Sequence, residues 1–242
     1  MKAMIFAAGL GTRLRPLTDT MPKALVPVGG KPMLYHLVQR LKASGYDSIV
    51  VIVHHFSQMI KDYLAAEDNF GVDIQVSDES GFLLDTGGGI LKAEPLLGEG
   101  SFLIHNVDIF SNLELSSLVL PQGALASLVV SERKTSRYLL FDADMRLVGW
   151  TNVSTGEVRS PWLGLDPSSC RALAFSGIHL CSHGIFDAFR RLGFEGRFPI
   201  MDFYLKACRD YPIHGIAPEG LKVLDLGKPE ALQAADDFLE GV

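Results

Sequence analysis

Three groups of residues have the types and spacing for chemistry on phosphate. The first is a loop, Gly9-Leu10-Gly11-Thr12-Arg13-Leu14-Arg15-Pro16, continuing through Thr18 and Pro22-Lys23 to Pro27-Val28-Gly29-Gly30-Lys31-Pro32. Glycine lets backbone N–H groups approach an anion closely, and fixed cations neutralise phosphate oxygens. The second is a pair of aspartates far apart in the chain, Asp108 in His105-Asn106-Val107-Asp108 and Asp225 in Val223-Leu224-Asp225-Leu226-Gly227. Each ends an apolar run, where a carboxylate can hold a hard cation against phosphate oxygens or simply cap a helix. Two such carboxylates favour a magnesium site over two unrelated caps. The third is Asp85-Thr86-Gly87-Gly88-Gly89-Ile90. Three glycines ahead of a helix would leave N–H groups open and let a flat ring lie against the backbone, unless they are only a flexible turn.

Two familiar phosphate loops are excluded. The dinucleotide fingerprint needs a third glycine where this chain has Leu14, which weakens an oxidoreductase reading. The Walker loop needs Gly-Lys-Ser/Thr, but Gly30-Lys31 and Gly227-Lys228 are both followed by proline. The run Gly9-Leu10-Gly11-Thr12-Arg13 through Pro16, Thr18, Pro22-Lys23 and Val28 instead closely resembles the signature of the sugar-1-phosphate nucleotidyltransferases. Within that family, Leu84-Asp85-Thr86-Gly87-Gly88-Gly89-Ile90 with Lys92-Ala93 is most similar to the N-acetylmuramate-1-phosphate uridylyltransferases.

The resemblance implies transfer of a nucleotidyl group from a nucleoside triphosphate to a sugar 1-phosphate, releasing pyrophosphate. UTP with N-acetylmuramate 1-phosphate is the first pairing it implies, GTP with mannose or heptose 1-phosphate the second, and CTP with phosphocholine a distant third. A non-catalytic relative that binds a sugar nucleotide and regulates a partner is the alternative of another class. The resemblance to the enzymes implies Arg13 and Lys23 as catalytic cations, the first toward the leaving pyrophosphate and the second toward the α-phosphate. It places Ala8, Gly9, Leu10, Gly11, Thr12, Asp85, Thr86, Gly87 and Gly88 on the nucleotide. Asn106, Ser176, Gly177 and Asp202 fall to the sugar phosphate, and Asp108 and Asp225 to Mg²⁺. Three departures stand out: Val107 where the family has glycine, Lys228 where threonine is usual, and no Glu-Lys-Pro between Trp150 and Leu165. Lys134, Arg137 and Arg159 are the candidates for the cation that this last motif would have supplied. No hexapeptide repeats occur, so the acetyltransferase β-helix of some bifunctional relatives is not expected.

Positioning these groups requires alternating elements. Met4 to Ala8 is an apolar run suited to a strand buried on both faces, Ser48 to Val53 is a second, β-branched apolar run, and Val72 to Val76 and Phe102 to His105 read as the third and fourth strands. Pro32 opens a helix with Met33-Leu34, Leu37-Val38 and Leu41 at helical spacing, ended by Gly45-Tyr46. Phe56, Met59-Ile60 and Tyr63-Leu64 mark a second helix, and Ile90 to Leu97 a third begun at the glycine run. Such alternation predicts an α/β fold with a doubly wound, mostly parallel, Rossmann-like sheet. If strands one to three run outward and the fourth returns beside the first, the Gly9 loop and Asp108 share one crevice at the switch point. Beyond Leu120 the pattern turns antiparallel: Ala124 to Val130, Tyr138 to Phe141, Leu147 to Trp150 and Ala172 to Leu180 read as strands. Pro199 to Cys208 and Pro229 to Leu239 read as helices. The expectation is one domain over 1–242, with residues 1–125 for the nucleotide. Residues 126–242 would hold a smaller mixed or antiparallel sugar-binding lobe and the second metal aspartate.

At 242 residues and 48% hydrophobic content, the chain can build a large core. A net charge of −6 argues against nucleic-acid binding, so the basic opening loop is a local feature. No run has a signal peptide's or membrane span's apolar length. Cys170, Cys181 and Cys208 lack paired spacing, which fits a reducing compartment, the cytoplasm by default. The expected partners are small-molecule substrates with Mg²⁺, no nucleic acid and no membrane, on a monomer or small homo-oligomer. His54 with His55, and His179 with His183, are expected to be structural, since adjacent strand residues point to opposite faces.

Overall fold

The computed structural model describes residues 1–227 and 229–240, so Lys228 lies outside the described residues. Four parallel strands form the centre, in the order Phe102–Asn106, Lys2–Phe6, Ser48–Val53, Asp73–Asp78. This is the expected order, with the fourth strand returning beside the first. Their alternate residues explain why the stretches 3–6, 49–53 and 102–104 are wholly apolar, while the edge strand Asp73–Asp78 keeps polar residues. Ala3, Ile5, Ile49, Val51 and Leu103 join one core with the helices Met33–Ala43 and Ser57–Ala66. Met4, Val50, Ile52, Phe102 and Ile104 join a second core on the opposite face, with Asp85–Lys92, Ile185–Arg191 and Ile200–Ala207. Helices on both faces leave no wet side for a polar residue.

The long strand Arg171–Cys181 runs antiparallel to Phe102–Asn106 and carries the sheet into its mixed half. One of its edges continues through Arg137–Phe141, Leu147–Asn152 and Glu157–Arg159; Ala126–Ser131 and Ile213–Ile216 attach alongside. Opposite Ala126–Ser131 the register slips: Phe175 pairs with Val130, but His179 pairs with Leu128. The extra residues form a bulge around Gly177, whose φ of 77° favours glycine.

Three features differ from the sequence-based expectation. The glycine run lies inside a helix, Asp85–Lys92, rather than ahead of one, because its backbone is packed tightly by a neighbouring segment described below. The last helix is broken into Pro229–Gln233 and Ala235–Glu240. Ile109–Ser111 and Val223–Asp225 form their own antiparallel ribbon, too short for periodicity to reveal.

Behind the bulge lies a buried polar cluster. The Tyr204 hydroxyl shares a hydrogen bond with His179 Nδ1 at 2.6 Å and sits 3.2 Å from Cys181 Sγ. Burial lowers the His179 pKa from an ordinary 6.5 to about 3, the nearby His105 adding to the effect, and pushes the Cys181 thiol up to about 12. A histidine held neutral when folded gains its proton first when unfolded, so its contribution is lost as pH falls from about 6.5 toward 3. Urea unfolding at pH 7.5, 6 and 5 should show this loss, with a shallower pH dependence in His179→Gln than in the parent.

Candidate active site

The first strand ends at Phe6, and the chain leaves the sheet edge through a turn fixed by one glycine. Gly11 has φ 63°, and its carbonyl accepts both the Leu14 N–H and the Thr18 hydroxyl, each at 2.8 Å. A Cβ at Gly11 would stand 2.8 Å from Thr18 Cγ2 and 3.2 Å from Lys23 Cβ, so this turn is pressed directly onto Lys23. Lys23 itself follows Pro22 and starts a short 3-10 turn through Leu25. It is 9% exposed and its ammonium is ion-paired with Asp108 Oδ2.

Asp108 sits between the central strand Phe102–Asn106 and the ribbon strand Ile109–Ser111. Asp225 ends the opposing ribbon strand and pairs with Ile109, while the Asp108 carbonyl accepts the Leu226 N–H at 2.8 Å. Two aspartates 117 positions apart by number (225 minus 108) are therefore carried on adjacent backbones. Asp225 Oδ1 accepts the Gly227 N–H at 2.8 Å, and Gly227 leaves space for Arg13: a Cβ there would come within 3.0 Å of Arg13 Cζ. Arg13, Lys23, Asp108 and Asp225 form one charged neighbourhood.

A cleft of about 310 Å³ opens beside it. Ala8, Gly9 and Leu10 form one wall with Lys23; Asn106 and Asp108 form the floor; Asp85 and Thr86 face them. Asn106 is held by the bulge, since a Cβ at Gly177 would fall 2.6 Å from its Nδ2. Thr12 and Arg13 are exposed on the turn beyond Gly11.

The expectation of open N–H groups at the glycine run is corrected. The Gly87 and Gly88 N–H groups both donate to the Phe198 carbonyl, at 2.8 and 3.2 Å. A Cβ at Gly87 would strike the Phe198 ring, and one at Gly88 the Gly196 carbonyl. These glycines let the segment before Ile200–Ala207 pack onto the helix, and their donors are consumed by that contact. The same contact brings Thr86 Oγ1 to the Ile200 N–H at 2.8 Å. Ser176 is buried and its hydroxyl donates to the Val129 carbonyl at 2.7 Å, away from solvent. Asp202 accepts from Arg159 at 2.7 Å, and that guanidinium lies 5.9 Å from the Trp150 ring centroid.

Glu79 was not foreseen. It follows the strand Asp73–Asp78 directly, but that strand is rich in polar residues, so the rule that picks Asp108, a carboxylate at the carboxyl end of an apolar run, does not single it out. It lines the cleft at 2% exposure. Oε2 accepts the Leu84 N–H at 3.0 Å, while Oε1 is buried without a hydrogen-bond partner among the described residues. Burial raises its pKa. Gly89 makes room for it, as a Cβ there would lie 2.8 Å from Oε1.

The residues fit a divalent cation that a phosphate would complete. Two carboxylates from one ribbon face the phosphate-type loop, and among the described residues no group of three or more His, Cys, Asp or Glu forms a protein-only metal cage. Magnesium is commonly held in this way, by one or two carboxylates and substrate oxygens.

Comparison with known proteins decides the family. The Nucleotidyl transferase family model matches residues 2–137. The N-acetylmuramate alpha-1-phosphate uridylyltransferase of Caulobacter vibrioides is 35% identical over 97% of this chain and 95% of its own. The chain belongs to the sugar-1-phosphate nucleotidyltransferases. A mannose-1-phosphate guanyltransferase of Neurospora crassa is 38% identical over 57% of this chain and 40% of its own. The solved inositol-1-phosphate CTP transferase from T. maritima superposes with a TM-score of 0.77 at 15% identity, covering 100% of this chain and 97% of its own. That likeness concerns the fold. It places the nucleotidyltransferase's Rossmann-like sheet and mixed lobe in a shared architecture. No helix among the described residues is long and apolar enough to cross a membrane.

Proposed function

We propose that this nucleotidyltransferase transfers UMP from UTP to N-acetylmuramate 1-phosphate in a Mg²⁺-dependent reaction. The observation that carries the reading is the near full-length likeness to the Caulobacter uridylyltransferase. Guanyltransferases match only about half of the chain. Glu79 offers a base contact at this wall: with Oε2 committed to Leu84, Oε1 remains as a buried acceptor that the ring N–H of uracil can use.

In this reading the sugar phosphate oxygen attacks the α-phosphorus in line. The bond to the β-phosphate oxygen breaks and pyrophosphate leaves with the electron pair. Such transfer depends on positioning and charge neutralisation more than on acid or base groups. Lys23 neutralises charge at the α-phosphate, and Arg13, exposed at the loop's far end, receives the pyrophosphate. Ala8 to Leu10 give the triphosphate a close backbone wall, and Asn106 orients the incoming sugar phosphate. Asp108 and Asp225 would hold the magnesium ion, whose contribution is to offset phosphate charge. The 1–125 segment supplies the nucleotide side and 126–242 the sugar side with Asp225.

Four nucleoside triphosphates crossed with a panel of sugar 1-phosphates, read by pyrophosphate release with Mg²⁺, test the assignment. UTP with N-acetylmuramate 1-phosphate should give the highest kcat/KM. A higher value for GTP with mannose 1-phosphate, or no release with any pair, would overturn it. Glu79→Ala should raise the KM for UTP by at least about tenfold, the worth of a buried charged hydrogen bond, with little change in the sugar phosphate KM.

A further inference from the structure

Lys23 and Asp108 reach each other from separate parts of the fold, and both are shielded at the cleft wall. Their side chains are 10% and 16% exposed and their charged atoms are in contact. The lysine backbone is fixed by the turn after Pro22 and by the press of Gly11 against its Cβ, so any move of the ammonium is made by the flexible side chain alone. Asp225, the other carboxylate of the ribbon, has Gly227 and Arg13 as neighbours instead. The ammonium takes up Asp108 Oδ2, and a divalent cation brought to the same carboxylate would be repelled strongly by it in so shielded a site.

We propose that Lys23 is a placeholder for the divalent cation: in the free protein its ammonium occupies Asp108, and cation entry requires it to leave. This rests on the reading of the cleft as a nucleoside triphosphate site, because the triphosphate supplies the second anion to which Lys23 transfers. Its consequence is energetic coupling. Without nucleotide, a cation must break a shielded ion pair and leave the ammonium uncompensated, which is costly. With nucleotide, Lys23 gains phosphate oxygens, and Asp108 is freed for the cation. Each ligand therefore strengthens the other by the same factor. The arrangement keeps the site closed to free cations until the triphosphate arrives.

The test is Mn²⁺ binding measured by the electron spin resonance of the free ion, with no turnover. The proteins are the parent, Lys23→Met and Lys23→Gln, each with and without the non-hydrolysable α,β-methylene-UTP. Removing the placeholder should tighten Mn²⁺ binding to the nucleotide-free protein by at least about tenfold, and shrink the enhancement given by the nucleotide by a similar factor. Mn²⁺ should also raise the Tm of the variants more than that of the parent, since an unpaired, shielded Asp108 then waits for a cation. Unchanged or weaker Mn²⁺ affinity in both variants overturns the placeholder. A variant that folds only with Mn²⁺ supports it. Failure of the analogue to bind any of the three proteins would instead overturn the uridine reading, and the nucleotide-free measurements still decide the role of Lys23.

Discussion

Lys23→Ala is expected to lower kcat by about a hundred- to a thousand-fold, the usual loss when one preorganised electrostatic contact to transition-state charge is removed, about 3–4 kcal/mol. The lysine is held from both sides: Pro22 and the short turn through Leu25 fix its backbone, and Gly11 presses on its Cβ. Its ammonium is already at the cleft, against Asp108, so little reorganisation separates it from a bound phosphate. The nucleotide KM should change much less than kcat, because the contact strengthens as charge develops during transfer. Lys31 is the internal control. It is exposed, its ammonium lies 5.1 Å from the Tyr35 ring centroid, and it is part of neither the ribbon nor the cleft lining. Steady-state kinetics at saturating Mg²⁺ on Lys23→Ala and Lys31→Ala decide the matter. A near-normal kcat in the first, or greater damage in the second, removes Lys23 from the chemistry.

Asp225→Asn should have an effect of similar size, at least about a hundredfold on kcat/KM, because it removes one charge from the proposed cation's seat without changing shape. The carboxylate has one structural bond to preserve, Gly227 N–H to Oδ1, and an asparagine oxygen can still accept it. The ribbon pairing with Ile109 is made by the backbone and is untouched. Thermal stability should therefore stay near that of the parent, while the Mg²⁺ concentration for half-maximal rate rises. Asp202→Asn is the comparison, since Asp202 lies on the helix Ile200–Ala207, paired with Arg159 of the strand Glu157–Arg159, rather than on the ribbon. If Asp225→Asn keeps its rate and its Mg²⁺ dependence, or Asp202→Asn loses more, the ribbon is not the cation's seat.

The sequence by itself determined the central architecture. Runs such as 49–53, apolar at every position, can be satisfied only by a strand covered on both faces, and the helical spacing of Met33 to Leu41 supplies one of the covers. Strand, glycine turn and cation were likewise legible at Gly9 to Lys23, because local conformational limits and charge act within one short segment. What tertiary structure decided lies in contacts between distant segments. The three glycines before Ile90 carry no mark of their partners, and only the packing of Phe198 and Gly196 shows that two of them serve helix contact and the third makes room for Glu79. The serine of Phe175-Ser176-Gly177 reads as a sugar contact in sequence. The bulge turns its hydroxyl to the Val129 carbonyl and sets Gly177 against Asn106. Asp108 and Asp225 each read as a strand-end carboxylate, but their meeting depends on a three-residue ribbon whose pairing is made by backbone hydrogen bonds, which side-chain pattern does not encode.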